Sequence, residues 1–139
     1  MMKNLTLQKL NNLVVFTYIV LAFFAIPHLI DDFLFDIPEE FGLTNIQTQV
    51  LSGVFIVIFL VILVAAVRGT RRGYGGTTFM GAFLALAVLL KHFPRMILPA
   101  PYWSGWFSEM LIVGVFVSGI LLVIISVMAL RRSRFSTPE

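Results

Sequence analysis

An all-α fold, a four-helix transmembrane bundle, is predicted by three features of this sequence. Four apolar runs of about the ~20 residues that cross ~30 Å of hydrocarbon follow one another along the chain. Hydrophobic residues make up 59% of the chain and charged residues only 12%, against roughly 25% charged in soluble domains. The basic residues gather beside the apolar runs, where they orient a membrane protein. The 139 residues therefore form a single four-span domain, 1–139. Without cysteine the chain has no disulfide, thiolate ligand or cysteine nucleophile, and composition leaves the redox compartment open. The net charge of +3 comes from clusters beside lipid, so the bilayer is the expected partner and nucleic acid is not.

Lys3 and Lys9 lead into a first span, about 13–32. A cleavable signal peptide would have a shorter apolar region and a small-x-small site; this run ends instead in Pro27, His28 and two aspartates, so the span is expected to be retained. Pro27 cannot donate to the Phe23 carbonyl, which predicts a kink just before His28. Asp36 to Gly42 reads as a short interfacial helix in the first outer loop, with Asp36 as cap, Glu39 three residues on and Gly42 as stop. Thr44 and Gln47 have capping-box spacing at the start of span two, about 46–67, an uncharged scaffold helix.

Arg68 to Gly76 reads as a tight, basic, glycine-rich turn touching anionic headgroups. It lacks both the Lys-Ser/Thr and the preceding strand of a phosphate-binding loop. Span three, about 77–93, is the shortest, and Gly81, Ala82, Ala85 and Ala87 suit close helix approach. Met96 to Gly105, with Tyr102 and Trp103, leads to Trp106 and reads as an aromatic belt at headgroup level. Span four, about 106–130, carries Glu109 one turn inside its start and a second small-residue strip of Gly114, Ser118 and Gly119. The tail 131–139 is expected to be disordered.

Of the ten basic residues, Lys3, Lys9, Arg68, Arg71, Arg72, Arg131, Arg132 and Arg134 flank one side of four crossings, while only Lys91 and Arg95 flank the other. That asymmetry predicts both termini in the cytoplasm, with the chain multi-pass in the plasma (inner) membrane. The acidic stretch holding Asp31, Asp32, Asp36, Glu39 and Glu40 then lies outside. His28, Asp31 and Asp32 stand at i, i+3 and i+4 and share a helix face. Topology brings them to the depth of His92, Arg95 and Glu109. Ionisable groups near hydrocarbon are unfavourable by roughly 2.5–3.5 kcal/mol each at mid-bilayer, so these are expected to pair or to hold a ligand.

The six residues His28, Asp31, Asp32, His92, Arg95 and Glu109 form the candidate polar pocket, with His28, Asp31, Asp32 and Glu109 as expected ligands of a divalent metal. An ordinary alternative pairs the aspartates with Lys91 or Arg95 at solvated helix ends. A second alternative holds a haem between His28 and His92. Proton-coupled export is disfavoured, since every acidic residue lies near a span end.

His28-Leu29-Ile30-Asp31-Asp32 resembles the signature of the HXXEE family, small integral membrane proteins named for a His-x-x-Glu-Glu motif near the end of an early span. Here both glutamates are aspartates, each shorter by a methylene. The resemblance carries over onto His28, Asp31 and Asp32 only, and implies a polar site at the membrane surface without naming a reaction. The size and span number are also similar to those of DoxX-like proteins. Two functions are therefore expected. One is a small membrane enzyme whose polar pocket at the outer face binds a divalent metal or a polar lipid headgroup; the other is a non-catalytic accessory subunit whose small-residue strips pack against a larger membrane partner or a second copy.

Overall fold

A computed structural model of the chain describes residues 6–34, 42–97 and 105–133. All regular structure among the described residues is helical: α1 (Leu7–Leu34), α2 (Asn45–Val67), α3 (Arg71–Ala87), a π-helical turn (Val88–His92), α4 (Phe93–Met96) and α5 (Trp106–Ser133). Four stretches, Leu7–Phe33, Asn45–Val67, Arg71–Met96 and Trp106–Ser133, are long and apolar enough to cross a membrane. Their outward faces are apolar too. Phe16, Phe23, Ile46, Phe79 and Trp106 are each more than half exposed, a surface that suits acyl chains and not water.

Helix ends follow local chemistry. At the start of α2, Thr44 Oγ1 accepts from the Gln47 amide at 3.3 Å, and the Gln47 side chain accepts from the Thr44 amide at 2.9 Å, closing the capping box read from the sequence. α1 continues through Pro27 as one helix.

The turn expected over Arg68 to Gly76 is much shorter. Gly69 takes a left-handed φ of 65°, Thr70 caps the Gly73 amide at 3.0 Å, and α3 is already helical from Arg71. Gly73 serves packing here, because a Cβ on it would lie 2.4 Å from the Ala65 carbonyl; its absence lets α3 lie directly on the α2 backbone. At the other end, Arg131 to Ser133, expected in a disordered tail, continue α5. The interfacial helix expected at Asp36 to Gly42 lies outside the described residues except for Gly42, as do Tyr102 and Trp103 of the aromatic belt and the tail beyond Ser133.

Packing alternates in direction. Tyr18 on α1 stacks on Phe59 of α2, with ring centroids 4.1 Å apart, and its hydroxyl donates to the Phe59 carbonyl at 3.1 Å. Thr77 on α3 shares a 2.9 Å hydrogen bond with Ser126 on α5, and four residues along α3 a Cβ on Gly81 would meet the Gly119 carbonyl of α5 at 2.7 Å. Asn11 near the start of α1 lies beside Gly69, whereas Asp31 near its end bonds Ser108 at the start of α5. The four long helices therefore run antiparallel in sequence, and the starts of α1 and α3 share one end of the bundle. α2 and α5 each pack on α1 and α3, which face each other across the middle.

The buried stripe of α1 steps by three or four residues through Leu10, Val14, Tyr18, Leu21 and Ala25 to His28. That of α5 runs Ser108, Leu111, Val115, Ser118, Leu122, Ser126, Ala129, Ser133.

Candidate metal centre

The stripe of α1 delivers a histidine where an aliphatic residue would continue the pattern. His28 is only 9% exposed. One turn on, Asp32 presents Oδ1 at 3.6 Å from His28 Nδ1, too long for a hydrogen bond, and neither of these buried atoms has a hydrogen-bond partner. Buried polar atoms without partners are rare, because desolvation goes uncompensated.

The third member arrives from α3 through a change of helical register. Pro94 has no amide to give the Leu90 carbonyl, and the preceding turn widens so that the Phe93 amide donates to Val88, five residues back. The π turn ends on His92, whose ring meets that of His28 edge-to-face with centroids 4.8 Å apart. One ligand atom from each of His28, Asp32 and His92 lies within 4.8 Å of the other two. Zinc bonded at ~2.0–2.1 Å sets tetrahedral donors roughly 3.3 Å apart, so modest side-chain rotation closes the set.

The other expected residues lie elsewhere. Asp31, 6% exposed, accepts a hydrogen bond from Ser108 Oγ and so ties α1 to α5 without joining the converging donors. Glu109 is one residue off the buried stripe of α5, half-buried in the first turn, where a carboxylate favours the helix dipole. It too lies outside the group. Arg95, exposed at the end of the span three residues after His92, keeps its charge within reach of that imidazole. Thus His28 and Asp32 of the expected ligand set converge, Asp31 and Glu109 do not, and His92 joins them. The two imidazoles stand in direct edge-to-face contact, 4.8 Å between centroids, and not on opposite faces of a haem-sized gap.

Ser108 was not among the expected site residues. Its signal was periodicity: it starts the three-four stripe that Leu111 and Val115 continue. A cavity of about 190 Å³ opens beside the three donors, walled otherwise by apolar side chains from all four long helices.

Comparison with protein-family models, curated proteins and solved structures returned no significant match to this chain.

Proposed function

We propose that this chain is an integral membrane protein that binds one divalent first-row metal ion, zinc by its donor set, through His28, Asp32 and His92. The observation that carries the reading is the pair of facing, hydrogen-bond-free atoms, His28 Nδ1 and Asp32 Oδ1, beside a second imidazole. A cation satisfies both atoms at once and takes the second imidazole as a further ligand. Two imidazoles and a carboxylate are a donor set that zinc accepts, and three protein ligands leave a fourth position for a water or a substrate oxygen. Bound there, such an ion polarises a carbonyl or phosphoryl oxygen or lowers the pKa of its water toward ~7.

The charge asymmetry between loops supports an outward-facing site with both termini cytoplasmic. Asp31 then acts as a brace for the site and not as a ligand. The HXXEE-like segment coincides with the α1 half of the site, which fits the same reading. The accessory-subunit reading drew on small-residue strips, and much of these is engaged within the chain: Gly81 against Gly119, Gly119 against Ala85, and Gly114 under the Phe24 ring, while Ala82 is exposed.

The test is metal binding by purified protein in lipid nanodiscs after chelator treatment. Wild type is expected to take up about one equivalent of zinc or cobalt(II), with His28→Ala, Asp32→Asn and His92→Ala each weaker by about 100-fold or more, while Gly75→Ala, at the other end of the bundle, binds as wild type does. Wild-type uptake no greater than that of the His28→Ala/His92→Ala double variant would sink the proposal.

A further inference from the structure

The cavity beside the donors decides what kind of ligand the site takes. His28, Asp32 and His92 line one side of it; its apolar lining includes Ala25 on α1, Phe55 on α2, Leu84 on α3, Val88 at the start of the π turn and Val115 on α5. Leu84 lies eight residues before His92, so the cavity reaches roughly 12 Å along the bundle axis from the metal site toward mid-membrane. Its volume of about 190 Å³ exceeds the ~150 Å³ of an apolar engineered cavity that stays dry and admits benzene. Ala25 and Ala87 keep it open where larger side chains would fill it.

We infer that the ligand is a single-chain amphiphile. Its oxygen-bearing head, a carboxylate or an equivalent chelating group, sits at the metal, and the first six or so carbons of its acyl chain fill this cavity. The inference rests on the metal reading above. A wholly polar ligand would leave the apolar walls uncovered, and a wholly apolar one would not use the three donors. A head and tail joined in one molecule match the division of the lining into one polar side and an apolar remainder.

The experiment uses cobalt(II)-loaded protein in nanodiscs, titrated with acetohydroxamate and hexanohydroxamate, and reads the visible cobalt spectrum, which changes only when a head group reaches the metal. The comparison is between wild type and the cavity-filling variants Ala25→Phe and Ala87→Leu, on opposite walls. Lipid partitioning of each probe is the same for all three proteins. A variant that keeps the wild-type cobalt spectrum has an intact site.

The expected result is that wild type and every spectrally intact variant bind acetohydroxamate alike, while at least one such variant binds hexanohydroxamate tenfold or more weakly than wild type does. Equal hexanohydroxamate affinity in wild type and in every spectrally intact variant overturns the amphiphile inference and leaves the metal reading standing. So does loss of the cobalt spectrum in both variants, because the cavity walls are then part of the metal site's support. Absence of a cobalt spectrum in wild type overturns both.

Discussion

His28 occupies a core position at which a leucine would pack with no unpaired polar atom of its own. Replacing a buried, unsatisfied imidazole with an apolar side chain removes a desolvation penalty, so His28→Leu is expected to raise the stability of metal-free protein by about 1 kcal/mol. It should also abolish the stabilisation that added zinc gives wild type. Unfolding in mixed micelles with and without zinc checks both halves. A variant less stable than wild type in the absence of metal would make His28 a structural residue. Ser108 behaves oppositely. Ser108→Ala strips the buried Asp31 carboxyl group of a hydrogen bond across α1 and α5, and is expected to destabilise by about 1–3 kcal/mol in the same measurement. The His28 and Asp32 pairing was legible from sequence because i, i+4 spacing on a helix is local geometry. Ser108 was not singled out because a serine is unremarkable in composition; only its helical phase and a buried partner 77 residues away give it weight.

Glycine shows how the same residue type means different things within one element. Gly73 and Gly75 are two residues apart in the first turns of α3. A Cβ on Gly73 would collide with the α2 backbone at 2.4 Å, whereas one on Gly75 meets nothing within 4 Å. Gly73→Ala is therefore expected to force α3 off α2 and to destabilise by about 1–3 kcal/mol. Gly75→Ala should be neutral or should stabilise by up to about 1 kcal/mol through helix propensity. Unfolding of the two variants side by side checks the contrast, and equal effects would remove the packing role assigned to Gly73. From sequence, Gly73, Gly75 and Gly76 together signal a turn. What distinguishes a turn from a close helix crossing is the neighbouring backbone, which composition does not contain. The π turn before Pro94 belongs to the same class: the proline is visible in the sequence, but the way the chain absorbs its missing donor depends on what His92 packs against.

Across the molecule, four antiparallel helices bring the start of α1 and the turn between α2 and α3 to one end, and His28, Asp32 and His92 to the other. The loop charges predict that the first end is cytoplasmic. A fluorescent protein fused after Glu139 should therefore fluoresce in cells, and alkaline phosphatase fused there should be inactive; the reverse pair of results would invert the orientation and place the site inside. Four apolar helices, the Thr44 cap and the shared face of His28 and Asp32 followed from the sequence alone. Each depends on span length, hydropathy or spacing within one or two turns, and these act before any tertiary contact forms. Tertiary structure alone decided that His92 completes the donor set, that Asp31 is committed to Ser108 and Glu109 stands aside, and that an apolar cavity lies next to the site. Those outcomes depend on the rotation of each helix about its axis, which is set by how small and large side chains interlock between helices distant in sequence.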